Sequence, residues 1–423
     1  MTATTAISIT FDQFSNIIDG KRSETKRARH GVNPSTLESL AAVPLSESAD
    51  VDLAVSVAKR AAPGWGRVPL AERQSAVIRY ADAIEARAGD FATMLVREQG
   101  KLLAAANGEL VEAVKFLKVV ASLPFAEQEP IEDIKQRRVF TRYVPIGVAV
   151  GIVPWNFAAL LLDKVSFTGS TQTGRKVMES CSKTLKRVTL ELGGNDPAII
   201  CGNVDVASVA QKVATFALYN SGQVCVAIKR IYVHSSIYSD FMTALVKITE
   251  SMTVGDGFDP NSFLGPVQNK MQYERIQELI RSVRDANLKV ALGKPEAANT
   301  SGKGYFVSPI IVDNPPGDST IVTEEPFGPI FPVLRWDSEE DVIQRANNSD
   351  MGLGASIWTR DPEQAERFSN RLEAGNIWIN AHLLLQPNAP FGGHKSSGVG
   401  VEGGIDGIKS FCKTQTVYNY KDN

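Results

Sequence analysis

The sequence predicts an α/β fold with parallel-rich sheets, and three observations carry the prediction. Short apolar runs alternate with helical patterns through the middle and later parts, as in parallel strands joined by helices. The first third reads as one helix after another. The length, 423 residues, calls for more than one domain.

The elements follow in order. Apolar residues at helical spacing predict helices over 51–62, with Ser48 or Asp50 as cap, then 71–88, 91–99 and 107–122. In the last of these Leu110, Val114, Leu117 and Val120 share one face. An extended ribbon is expected at 139–144, and a buried strand at 147–153 runs into a turn. Strands at 165–167, 188–190, 197–201 and 230–233 then alternate with helices at 173–182 and 206–219. The theme repeats with helices at 267–285, 339–346 and 362–372 and strands at 289–292, 306–312, 330–334, 355–358 and 376–379. The glycine-rich stretch 392–407 reads as a long shaped loop.

Composition excludes several classes. Lys+Arg total 45 against Asp+Glu 47, a net charge of -2, so no basic face for nucleic acid is implied. Four cysteines without CxxC spacing argue against a disulfide framework and a thiolate metal site, and fit a reducing, cytoplasmic compartment. The four histidines are scattered, so no metal is expected. Met1 to Gln13 lacks the pattern of a signal peptide. Residues 144–162 are uncharged and long enough to imitate a membrane span. Pro145, Gly147, Gly151, Pro154 and Asn156 would break such a helix, so no membrane partner is expected.

Cys225 and Glu191 are the residues whose types suggest chemistry. Cys225 closes Gly222-Gln223-Val224-Cys225, and Glu191 opens Glu191-Leu192-Gly193-Gly194-Asn195. A thiol can attack a carbonyl and a carboxylate can move its protons. Read alone, each has a plainer role, as a small buried hydrophobe and as a paired carboxylate. Asn156 could donate to a developing oxyanion or cap a turn. Gly398, Gly400 and Gly403 spell GxGxxG after a loop, without the strand and clear helix that motif needs. Residues 169–176 imitate a P-loop, but Arg175 stands at the lysine position. A strand-turn-helix remains there, suited to a phosphate or to nothing at all.

Together these pieces resemble the aldehyde dehydrogenase superfamily. The matching stretches, in the family's order, are Pro154-Trp155-Asn156-Phe157, Phe167-Thr168-Gly169-Ser170, Glu191-Leu192-Gly193-Gly194, Gly222-Gln223-Val224-Cys225, Glu324-Glu325-Pro326-Phe327-Gly328-Pro329 and Pro390-Phe391-Gly392-Gly393. The resemblance covers nearly the whole chain. It implies two α/β domains plus a small oligomerisation ribbon, with 1–125 and 145–192 (and 372–400 returning) binding the nucleotide and 193–371 carrying the nucleophile. Residues 126–144 and 401–423 take the place of the ribbon and tail, implying a homodimer or homotetramer. Cys225 is then the nucleophile, Glu191 the base that activates hydrolytic water, and Asn156 with the Cys225 N–H the oxyanion site. Trp155, Gly169, Ser170, Gly193, Glu325 and Phe327 fall at cofactor positions for NAD or NADP, and Phe157 and Phe391 at the pocket for a small aldehyde or acyl substrate.

One departure accompanies the match. Residues 157–162 run directly into Asp163-Lys164-Val165, where the family carries a long segment. Roughly sixty residues are absent, about two βα units of a mononucleotide-binding fold. The lost stretch would carry a Lys-Pro-Ser/Ala-Glu motif that grips the adenosine ribose, and it occurs nowhere else here. The few residues between the strands at 147–153 and 164–168 read as too short for a parallel crossover, so the topology is altered or the strands are not neighbours. Two other functions stay open: a cofactor-independent thiol enzyme (acyl hydrolase, transferase or isomerase), and a catalytically inactive truncated homologue.

Overall fold

A computed structural model describes residues 9–156, 165–294 and 303–421. Its centre is a seven-stranded sheet in the spatial order Val290–Leu292, Ile310–Asp313, Ile330–Trp336, Ile228–His234, Asp196–Ile200, Gly354–Trp358, Asn376–Ile379. Only the first pairing is antiparallel. The strand Asp196–Ile200 is buried at every position, as a strand covered on both faces must be. Its side chains alternate between two cores. Ile199 packs with Ile276, Ile280 and Ile343 on one face, and Ala198 and Ile200 pack with Val213, Phe241 and Leu245 on the other. Helices therefore cover both faces, as the alternating pattern predicts.

A second, four-stranded sheet runs Gly398–Val399, Val188–Glu191, Val165–Thr168, Gly151–Ile152. Here two expectations are corrected. The strand predicted over 147–153 shrinks to Gly151–Ile152, and its flanks are not buried: Val150, Ile152 and Val153 are 41–42% exposed. Among the described residues it is the outermost strand of this sheet. It also pairs directly and in parallel with Val165–Thr168, Gly151 opposite Ser166 and Ile152 opposite Phe167. Both strands are shorter than the sequence suggests, which lengthens the connection to twelve residues. A dozen is about the minimum for a parallel crossover. Part of that connection, 157–164, lies outside the described residues.

Smaller corrections concern the later chain. Asn376–Ile379 extends the seven-stranded sheet, so the return to the smaller sheet expected at 372–400 comes only at Gly398–Val399. The glycine-rich stretch is more than a loop, because Gly404–Lys409 forms a short helix. The first long helix, Ser48–Trp65, is capped by Glu47 in a reciprocal box with Asp50, rather than by Ser48 or Asp50 itself.

The helices Leu70–Glu85, Ala88–Gln99 and Leu103–Ser122 pack into a cluster that includes Ala92, Leu95, Val96, Ala106 and Leu110. An antiparallel ribbon joins Gln128–Asp133, Arg137–Pro145 and Cys412–Tyr420. Among the described residues no helix is long and apolar enough to cross a membrane.

One buried ion pair ties the helical cluster to the second sheet. Lys101 bonds Glu109 and donates to the Asn156 carbonyl at 2.9 Å. Burial pulls the Lys101 ammonium below its ordinary range, and Glu109 opposes that fall. Replacing Lys101 by Met strands the Glu109 charge, and urea denaturation is expected to show a loss of about 3–5 kcal/mol. The double change Lys101→Met with Glu109→Leu is expected to recover most of it, because no lone charge remains.

Candidate active site

The site lies where the two sheets meet. Glu191 ends the strand Val188–Glu191 of the smaller sheet. Cys225 precedes the strand Ile228–His234 of the larger one. The two side chains lie close enough for each to shift the other's hold on its proton.

The turn that carries Cys225 is unusual. After the helix Val206–Leu218, Asn220, Ser221 and Gly222 all take left-handed backbone angles, with φ of 51°, 57° and 74°. Non-glycine residues visit this region rarely, so neighbours must hold it. Ser221 Oγ donates to the Gly265 carbonyl at 2.9 Å. Gln223 Nε2 donates to the Asn220 carbonyl at 3.1 Å, while its Oε1 accepts from the Gln268 N–H at 2.9 Å. Lys229 Nζ donates to the Gly222 carbonyl at 2.6 Å. A Cβ at Gly222 would stand 2.2 Å from the Gly328 carbonyl oxygen, so only glycine fits.

Burial sets the protonation of the pair. It pushes the Glu191 carboxyl up to about 8, with Glu402 and Glu325 adding like charge and bonds from Cys225 and Thr168 opposing. Burial also pushes the Cys225 thiol well up, and the neighbouring Glu191 raises it further. Both groups therefore keep their protons at neutral pH. Glu191 is 6% exposed, and its Oε1 has no partner among the described residues. That leaves an acceptor aimed at whatever enters.

Asn156 is buried beside the pair. Its amide donates one N–H to the Gln223 carbonyl at 3.1 Å, and its own carbonyl is held by Lys101. Among the described residues the second amide N–H and the Cys225 N–H meet no acceptor. Through Gln223 the amide is tied to the turn that carries the thiol, and donors of this kind are what an oxyanion needs.

The residues expected to hold a nicotinamide also converge. Glu325 accepts from the Gly194 N–H at 3.1 Å, and a Cβ at Gly193 would meet Glu325 Oε2 at 2.6 Å. Trp155 meets Phe327 edge to face at 5.7 Å. Gly169 donates to the Glu191 carbonyl at 3.2 Å. Ser170 caps the helix Thr171–Ser182, its Oγ accepting from the Thr173 N–H at 3.3 Å. Phe391 and Cys225 both pack against the cluster of Val224, Val226, Ala227 and Leu353. Phe157 lies outside the described residues. Among the described residues no cluster of metal-ligating side chains occurs.

Several supporting residues escape sequence reasoning. Lys229 is buried, donates to the Gly222 and Pro326 carbonyls at 2.6 and 3.4 Å, and lies 5.1 Å from the Phe327 ring. It fastens the thiol's turn to the segment that presents Glu325. His382 is fully buried, and burial holds its imidazole down near a pKa of about 3, hence neutral. Its Nε2–H donates to the Val226 carbonyl at 2.7 Å. Ser397 donates to the Gly193 carbonyl at 2.6 Å and accepts from the Gly352 N–H at 2.9 Å. A buried lysine, histidine or serine far along the chain carries no local signal of such a role.

Comparisons with known proteins identify one family. The aldehyde dehydrogenase family model matches residues 21–164 and 160–417. The aldehyde dehydrogenase LUC3 of Fusarium sp is 34% identical, with 97% of this chain and 100% of that protein covered. Phenylacetaldehyde dehydrogenase of Pseudomonas fluorescens is 31% identical, with 91% of each chain covered. An NAD+ complex of aldehyde dehydrogenase from Bacillus cereus superposes with a TM-score of 0.91 at 30% identity, with 96% of each chain covered.

Because Glu191 raises the thiol, removing its charge must make Cys225 more acidic. In Glu191→Gln, iodoacetamide is expected to modify Cys225 several-fold faster at pH 8 than in the parent, as read by mass spectrometry of the Cys225 peptide.

Proposed function

Because the chain belongs to the aldehyde dehydrogenase family of oxidoreductases, we propose that it oxidises an aldehyde to a carboxylic acid through a thioester on Cys225. The closeness of the Cys225 thiol to the Glu191 carboxyl, with the Asn156 amide bonded to the same turn at Gln223, carries this reading. In its ionised form Glu191 takes the thiol proton as sulfur attacks the carbonyl carbon. The carbonyl oxygen becomes an oxyanion between the Asn156 amide and the Cys225 N–H. A bound NAD or NADP would supply the acceptor for the hydride. Glu191 must first release the thiol's proton to solvent; ionised again, it draws a proton from the water that attacks the thioester, and the departing thiolate is reprotonated.

The nicotinamide end of that cofactor fits the residues present. Glu325 is held half-buried against Gly193 and Gly194 where a ribose hydroxyl can reach it, and Trp155 and Phe327 provide an aromatic wall. Glu325 is pushed up by burial while Lys229 pulls it down, so it can accept as a carboxylate or share a proton. The domain roles follow, with nucleotide binding assigned to 1–125 and 145–192 and the nucleophile to 193–371. The ribbon of Arg137–Pro145 and Cys412–Tyr420 is the element through which copies would associate as a homodimer or homotetramer.

The loss of a segment upstream of Val165 is supported by the family match, which breaks into two pieces meeting at 160–164. That observation favours a second reading, in which the thiol hydrolyses or transfers acyl groups without a hydride step.

Mixing the protein with NAD(P) and a panel of aldehydes is expected to raise the absorbance of reduced nicotinamide. Cys225→Ala is expected to abolish the signal, and the rate is expected to climb with pH through about 8 as Glu191 ionises. Ester hydrolysis that depends on Cys225, without any reduced nicotinamide, would replace the first reading with the second.

A further inference from the structure

The two ends of the cofactor site are built unequally. Folds that bind dinucleotides join two mononucleotide-binding halves and lay the ligand across the crevice between them. The smaller sheet has material for one half. Its parallel strands are Gly151–Ile152, Val165–Thr168 and Val188–Glu191, and Gly398–Val399 closes its other side antiparallel. Among the described residues one helix, Thr171–Ser182, crosses between these parallel strands. The other connection, from Ile152 to Val165, is twelve residues long, and 157–164 of it lie outside the described residues. A further strand with its helix needs about thirty residues, so none can be fitted there.

The sheet stops where a second half would begin. Gly151–Ile152 is the last strand, and Val150, Ile152 and Val153 stand partly in solvent beside it. By contrast, the groups expected to meet a nicotinamide or its ribose are withdrawn from solvent to a greater degree: Glu191 is buried, and Trp155, Glu325 and Phe327 are half-buried. Glu191 offers a buried, unpartnered oxygen, Glu325 is fixed by the Gly194 N–H, and Trp155 and Phe327 meet edge to face. The turn Thr168-Gly169-Ser170 opens the crossover helix on that side of the site.

We propose that this site recognises a nicotinamide mononucleotide unit and gives the adenosine half of a dinucleotide no cradle of its own. The inference rests on the nicotinamide reading above and narrows its ligand class. A group that makes no protein contacts adds little to affinity, so nicotinamide mononucleotide and NAD+ bind almost alike. Glu325 serves both ligands through the portion they share.

Calorimetric titration of the full chain with nicotinamide mononucleotide, NAD+ and 5′-AMP tests this. The dissociation constants of the first two are expected to agree within about tenfold, and 5′-AMP at millimolar concentration is expected not to displace NAD+. Glu325→Gln is expected to weaken both nicotinamide ligands by the same factor. A preference for NAD+ beyond about tenfold, or displacement by 5′-AMP, overturns the proposal and leaves the dehydrogenase reading intact. Failure of both nicotinamide ligands to bind overturns the two together, and Cys225-dependent ester hydrolysis then identifies what survives.

Discussion

The contact between Cys225 and Glu191 is the constraint around which the molecule is organised. It joins residues from two different sheets, and each is placed by the chain next to it. Gly194 follows Glu191 by three positions, and a Cβ there would stand 2.3 Å from the Cys225 carbonyl. The loop after the smaller sheet therefore presses directly on the backbone of the thiol's turn. Ser397 holds that loop from the other side through the Gly193 carbonyl. Dry packing of this kind explains why both groups are pushed toward their protonated forms. The same dryness strengthens any hydrogen bond made to a charge that develops there.

Charge burial continues behind the reacting atoms. Asp196, Lys229 and Glu325 are all enclosed, and burial drives Asp196 well up and Lys229 down. Isolated, each would be costly. Together they compensate, since Lys229 lies among carboxylates and bonds two backbone carbonyls. The result is a rigid frame under the turn rather than a set of independent ion pairs. The neutral His382 beneath Val226 belongs to the same frame.

Much of this was legible before any coordinates. Apolar spacing located the helices and nearly every strand of the larger sheet, because burial on both faces leaves continuous apolar runs such as Ala198-Ile199-Ile200. Cys225 and Glu191 came to attention beside their glycines, Asn156 at the Pro154-Trp155 turn, and Glu325 through the family resemblance. Other features were hidden for physical reasons. The Lys101–Glu109 pair and the bond from Lys101 to Asn156 join positions with no periodic relation. The left-handed backbone at Asn220 and Ser221 depends on tertiary partners such as Gly265. The stretch 147–153 is apolar enough to look buried, but burial needs a neighbour, and the outer edge of the smaller sheet has none.

That outer edge has a colloidal consequence. An open strand flanked by exposed valine and isoleucine is the usual template on which foreign chains add and aggregates grow. Here the strand is only two residues long, Gly151–Ile152, and Pro154 follows close behind. An incoming chain would find too few backbone groups to zip against, and the proline interrupts any extension. Brevity thus takes over the protective duty that additional strands would otherwise perform.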